Sequence, residues 1–208
     1  MSLPGSILYV VDDDVSVCRA LSLLLKSQGF RVETFTSASG FLDFKHPKIP
    51  SCLILDISLP NINGFALQEI MSQRGILVPI IFITGHGNIP MTVKAMKAGA
   101  IDFLAKPFKN KELLKSVTAA LVRSKVLNQG QAEVAQIKKH ISTLSPRELE
   151  VFQLVARGLL NKQIAAKRGT SLQTIKVQRG QVMKKMQVKT VTELISLAQK
   201  ADITSCLD

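Results

Sequence analysis

Five times in the first 127 residues a short apolar run is followed by a stretch with helical spacing. Residues 7–11, 31–35, 52–55, 78–83 and 101–104 read as strands, and only 31–35 alternates apolar with polar. Residues 15–27, 37–44, 64–74, 89–97 and 110–127 carry the helical patterns, with Gly29, Gly75 and Gly99 as stop signals. Strand and helix in strict alternation imply a parallel sheet covered by helices on both faces. Few other folds accept this order of elements.

In an open sheet of this kind ligands bind at the carboxyl ends of the strands. The residues there are Asp12, Asp13 and Asp14 after the first run, Asp56 after the third, Thr84 after the fourth and Lys106 after the fifth. The second run ends without a comparable group. Clustered carboxylates repel one another unless a hard cation neutralises them, and Mg2+ accepts one or two carboxylates together with waters and phosphate oxygens. A hydroxyl and an ammonium beside them complete a set suited to a phosphoryl group. Taken singly, each residue has a plainer reading: a helix cap among Asp12–Asp14, a turn at Asp56 or Thr84, a solvated lysine at 106. Their joint placement at successive strand ends is what argues for a site.

No strand pattern follows residue 128. The text NQGQAEVAQIKKH, residues 128–140, reads as a linker, either a continuation of the helix from Asn110 or a tether, with Gly130 as its weak point. Ser145, Pro146 and Glu148 then open a helix with the signature of a capping box. That helix ends at Gly158, Asn161 is positioned to cap a short helix through Lys167, and Gly169 makes a turn. Ser171 caps a third helix to about Gln187, and a last helix covers 191–201. A glycine turn between the second and third helices suggests a helix-turn-helix. On the third helix Leu172, Ile175, Val182, Met183 and Met186 read as core. Val177 falls off that stripe, where an exposed valine suits a thymine methyl.

Charge separates the two halves. Residues 128–208 hold 13 Lys/Arg and 6 Asp/Glu, and the span from Arg157 to Lys189 holds nine cations and no acid. Such a stretch is either a polyanion-binding surface or a solvated face. With 46% hydrophobic and 20% charged residues the chain is globular. The apolar run 76–83 is broken by Pro79 and falls far short of the ~20 residues of a membrane span. The N-terminus lacks the basic region of a signal peptide. Three cysteines without metal spacing fit a reducing cytosol, with Cys18 and Cys52 as small core residues.

The segments VVDDD, LILDISLPNINGF, IIFITGHG and AIDFLAKPF resemble the receiver domain of two-component response regulators, over residues 5 to about 125. The segment LSPRELEVFQLVARGLLNKQIAAKRGTSLQTIKVQRGQVMKKM, with VTELISLA after it, resembles the LuxR-type DNA-binding domain. Together they resemble the NarL/FixJ class, nearest its FixJ branch. The resemblance implies an α/β domain with a five-stranded, flavodoxin-like doubly wound sheet of order 2-1-3-4-5, and a small all-α helix-turn-helix domain. It divides the chain into a receiver at 1–124, a largely helical linker at 125–142 and a DNA-binding domain at 143–208.

It also assigns roles. Asp56 matches the phosphoacceptor, in the spacing D-x-x-x-P-x-x-x-G with Pro60 and Gly64. Asp13 matches the direct ligand of Mg2+ (or Mn2+), Asp12 the outer acid, and the Ser58 backbone carbonyl the third protein ligand. Thr84 and Phe103 match the switch pair, and Lys106 the lysine before a cis proline. Ser58 and His86 match positions flanking the water that hydrolyses the phosphoaspartate. On the third helix Lys176, Val177 and Gly180 are placed toward base edges beside Thr174, with Lys162, Arg179, Lys184 and Lys185 as phosphate contacts. Two positions depart from the pattern: Gln178 stands where many relatives have histidine, and Gly180 lies inside the recognition helix. The implied partners are a histidine kinase, double-stranded DNA and a second copy of the chain on phosphorylation, with no membrane, in the cytoplasm. A rival reading is a phosphatase of the haloacid dehalogenase type with Asp56 as nucleophile. It needs a second acid where Ser58 stands, so turnover of an external substrate is not expected. A third reading is a regulator that binds DNA without phosphorylation, which the full acid set disfavours.

Overall fold

The computed structural model describes residues 5–85 and 88–203; His86 and Cys206 lie outside the described residues. The chain divides into two compact units, Met1–Gln129 and Gly130–Asp208.

In the first unit the order is β1 (Ile7–Val11), α1 (Val15–Ser27), β2 (Arg31–Phe35), α2 (Ala38–Asp43), β3 (Ser51–Asp56), α3 (Gly64–Gln73), β4 (Ile80–Thr84), α4 (Ile89–Lys97), β5 (Asp102–Ala105) and α5 (Asn110–Ile141). The strands form one sheet of order β2-β1-β3-β4-β5, parallel throughout. Successive side chains on a strand point to opposite faces. Tyr9, Val11, Leu53, Leu55 and Phe82 therefore pack on one side with Phe41, Leu67 and Met71. Leu8, Val10, Cys52, Ile54 and Ile81 pack on the other with Leu21, Leu25, Leu113 and Val117. Two covered faces explain why the central runs show no alternation. Cys18 and Cys52 are core residues, and burial pushes both thiols above the usual range.

Several boundaries differ from the sequence reading; β3, for one, covers Ser51–Asp56 and not 52–55. β4 starts at Ile80 and not at Val78, since Pro79 has no N–H for the ladder; its carbonyl accepts from Leu53 N at 2.9 Å. β5 is displaced by one residue to Asp102–Ala105. The fifth helix does not stop near Leu127 but runs 32 residues to Ile141, and the boundary between the units falls inside it. A single exposed glycine costs a helix only about 1 kcal/mol, and no proline interrupts 128–141.

In the second unit α6 (Pro146–Ala156), α7 (Asn161–Arg168), α8 (Leu172–Lys185) and α9 (Val191–Lys200) close over Val151, Phe152, Ile164, Ile175, Val182, Met186 and Leu194, with Ile137 packed against them. Ser145 and Glu148 form the expected capping box: Ser145 N donates to Glu148 Oε2 at 2.7 Å and Glu148 N to Ser145 Oγ at 3.4 Å. Gly169 ends α7 in the left-handed region at φ 59°, and Ser171 caps α8. Two details are corrected. Leu172 is 44% exposed, because it lies at the free N-terminal turn of α8 and the core begins at Ile175. Asn161 is the first residue of α7 and not its cap, and its side chain is used elsewhere. Among the described residues no helix is long and apolar enough to cross a membrane.

Candidate functional site

Parallel register brings the strand ends to one edge. Val11 pairs with Leu55, Asp56 with Ile83, and Thr84 with Ala105. The next residues along β1 and β5 are Asp12 and Lys106. Lys106 N donates to the Thr84 carbonyl at 2.7 Å. The Lys106 side chain reaches back so that Nζ donates to Asp12 Oδ2 at 2.7 Å and to Asp56 Oδ1 at 2.8 Å. The Lys106–Pro107 bond is cis. One ammonium thus bridges two carboxylates from different strands, both almost fully buried.

The second oxygen of each acid is also fixed. Asp12 Oδ1 accepts from Asp14 N at 3.0 Å, and Asp56 Oδ2 from Ser58 N at 2.6 Å. Asp14 is the cap of α1 and accepts from Ser16 N at 2.7 Å, so the capping reading belongs to it and not to Asp12. Asp13 lies exposed between them, Thr84 is buried, and Phe103 is half-buried and paired in register with Phe82. Burial pushes the Asp12 carboxyl above the usual carboxylate range, against the pull of Lys106 and of the Asp14 N–H. Burial works against the Lys106 ammonium as well. Its hydrogen bonds to Asp12 and Asp56 outweigh that, and its pKa stands above the ordinary lysine value.

The donor chemistry fits a hard divalent cation. Every side chain offered by Asp12, Asp13 and Asp56 is a carboxylate, and Ser58 in its exposed loop offers a backbone carbonyl. Among the described residues no three His, Cys, Asp or Glu side chains form a ready-made ligand cluster. Mg2+ does not require one, since it keeps several waters and takes only one or two carboxylates.

In the sequence Gly64 stands out only by its spacing from Asp56 and Pro60. A Cβ at Gly64 would stand 2.8 Å from the Asp56 carbonyl oxygen, 3.0 Å from Ile57 Cα and 3.1 Å from Phe82 Cε1. The start of α3 therefore rests directly on the backbone that carries Asp56, and only glycine allows it.

In the second unit Thr174, Lys176, Val177, Gly180 and Lys184 of α8 are exposed, as is Lys162 of α7. Val177 is 56% exposed, and a Cβ at Gly180 would meet nothing within 4 Å. Arg179 and Lys185, expected as phosphate contacts, have partners within the protein. Arg179 Nη1 donates to Asn161 Oδ1 at 2.6 Å, and Lys185 Nζ donates to Glu148 Oε2 at 2.6 Å and to the Thr143 carbonyl at 3.2 Å.

The Lys185 ammonium and the Ser145 N–H hold the Glu148 carboxyl down to about 2. A depressed carboxylate contributes stability that is complete above its unfolded value, 4.5, and is lost as pH falls toward about 2. Thermal unfolding of the second unit is expected to weaken through that window. Glu148→Gln, which removes the titrating group, should flatten that part of the curve; an unchanged acid limb would remove Glu148 from the explanation.

Residues 8–118 match the family model described as response regulator receiver domain, and residues 142–198 match that of the bacterial regulatory proteins, luxR family. The chain is 46% identical over 200 residues to nodulation protein W of Bradyrhizobium diazoefficiens, covering 96% of this chain and 88% of that one. It is 40% identical over 209 residues to the transcriptional regulatory protein FixJ of Azorhizobium caulinodans, covering 100% and 97%. Among solved structures, the low-resolution structure of the response regulator StyR aligns with a TM-score of 0.75 at 44% identity, over 94% of this chain and 98% of that one.

Proposed function

This chain belongs to the two-component response regulators that join a receiver domain to a LuxR-family DNA-binding domain, and we propose that phosphoryl transfer to Asp56 controls how its second unit grips duplex DNA. The observation that carries the reading is the single ammonium of Lys106 held between Asp12 and Asp56. In this reading an Asp56 carboxylate oxygen attacks the phosphorus of a phosphohistidine on a partner kinase. The P–N bond breaks, and the imidazole leaves with a proton from solvent. Lys106 pairs with a phosphoryl oxygen. Asp12, Asp13, Asp56 and the Ser58 carbonyl would hold Mg2+. When bound, the ion neutralises charge on the transferring phosphoryl group.

Phosphorylation gives Thr84 an acceptor beyond the end of β4, and the Thr84 hydroxyl moves toward it. Phe103, half-buried two residues before the end of β5, takes up the space released. The coupling is a population shift between two arrangements of one edge of the sheet. The active form is a homodimer that sets two copies of α8 on adjacent half-sites of double-stranded DNA. Ser58, exposed beside Asp56, and His86 tune the rate at which water removes the phosphoryl group.

Incubation of the full chain with acetyl phosphate and Mg2+ tests this reading. About one phosphoryl group per chain is expected, followed by a plateau, with none on Asp56→Asn. Fast, continuing release of phosphate with no accumulated label would favour the phosphatase reading, and absence of both label and release would overturn phosphoryl control.

A further inference from the structure

Nine cations lie between Arg157 and Lys189, and three of them are engaged by the protein itself around α8. Arg168, at the end of α7, donates from Nη1 to Gln178 Oε1 at 2.7 Å and pairs through Nε with Glu150 Oε2 of α6 at 3.1 Å. A guanidinium only donates, so the atom that Gln178 turns toward it must be the carbonyl. Arg179 ties α8 to Asn161 at the start of α7. Lys185 ties its last turn to Glu148 and to the Thr143 carbonyl.

These ties are arranged around the helix axis in a particular way. At 100° per residue, Gln178 and Lys185 fall on one flank of the buried stripe Ile175–Val182, about 50–70° from its midline, and Arg179 falls about 50° to the other side. An apolar stripe alone lets a helix roll on its bed. Polar ties on both flanks fix the roll, because hydrogen bonds are directional where the hydrophobic effect is not. The roll in turn sets where Val177, Lys176 and Gly180 present themselves on the opposite side.

We propose that Arg168, Arg179 and Lys185 are positioning residues that set the rotation of α8, while Lys162 and Lys184 supply the phosphate contacts. This rests on the reading of the second unit as a DNA binder. It divides one block of like charge into two jobs. The exposed lysines give affinity that is indifferent to sequence, and the engaged cations give selectivity without touching DNA.

The two jobs have different salt signatures. Each phosphate neutralised adds about 0.9 to the slope of log affinity against log salt. A positioning residue adds nothing to the slope. The test uses the full chain treated with acetyl phosphate and Mg2+, so that the DNA-gripping form is populated, and two duplexes, one recovered by the treated wild-type chain from a random-sequence pool and one of mixed sequence. Arg179→Ala is expected to lose about tenfold in the ratio of selected to mixed affinity, with the slope unchanged. Asn161→Ala, which removes no charge, should reproduce that loss, and the double variant should be no worse than either alone. Lys184→Ala should lower both affinities together and make the slope shallower by about 0.9. Thermal unfolding of each variant confirms that it is folded.

If Arg179→Ala flattens the slope while Asn161→Ala behaves as wild type, Arg179 is a phosphate contact and the division of labour is overturned. If the wild-type chain recovers no sequence from the pool, the DNA-binding reading falls first and the proposal falls with it.

Discussion

Lys106→Ala is expected to destabilise the first unit by about 3 kcal/mol at neutral pH and to abolish phosphoryl uptake. The Asp12 and Asp56 side chains are 2% and 6% exposed, and the ammonium between them is the partner recorded for an oxygen of each. Removing one partner of a buried ionic cluster leaves uncompensated charge, which costs more than the intact cluster ever contributed. Lys106 itself is 26% exposed, so water enters once it is gone, which keeps the figure at the low end of the usual range. With the ammonium gone, the two acids are left without a counter-charge. Addition of Mg2+ should restore more stability to Lys106→Ala than to the wild type, since the ion supplies the missing positive charge. Urea unfolding with and without the ion measures both effects. A variant as stable as wild type in cation-free buffer would show that Lys106 is not the counter-charge of this pocket.

Gly64→Ala is the second large effect. The new methyl meets the Asp56 carbonyl at 2.8 Å and Ile57 Cα at 3.0 Å, both backbone, so neither can swing aside as a side chain would. Overpacking of this kind costs about 1–3 kcal/mol. The strain falls on the residue that is to attack phosphorus, and a displacement near 1 Å can cost on the order of a hundredfold in rate. The expected result is a moderate loss of stability with a much larger loss in the rate of labelling by acetyl phosphate. Equal losses in both, or a fast-labelling variant, would mean that Gly64 serves packing only.

The receiver-like half was readable because a parallel sheet has one rule that maps sequence onto space: strand ends line up. Asp12, Asp56, Thr84 and Lys106 could be placed together from four separate stretches of text on that rule alone. The reason for Gly64 was not readable, since it depends on how closely α3 approaches β3 across the fold. The extent of α5 stays open in the sequence because the polar text after Leu127 satisfies a solvated helix and a tether equally well. On α8 the period of 3.6 found the core from Ile175 onward but not its free edge at Leu172. The charge count found the basic block, and composition carries no record of which cations the protein keeps for itself. Arg179 and Lys185 have Asn161 and Glu148 within reach, and text alone does not show that.

The central claim is that a phosphoryl group on Asp56 governs the grip of the second unit on DNA. The most direct measurement is the affinity of the full chain for its selected duplex, before and after treatment with acetyl phosphate and Mg2+, with the phosphorylated fraction determined on the same samples. The wild type is expected to change its affinity in proportion to that fraction, and Asp56→Asn to show one affinity throughout. An affinity that stays constant as Asp56 becomes phosphorylated, or one that changes equally in Asp56→Asn, would contradict it.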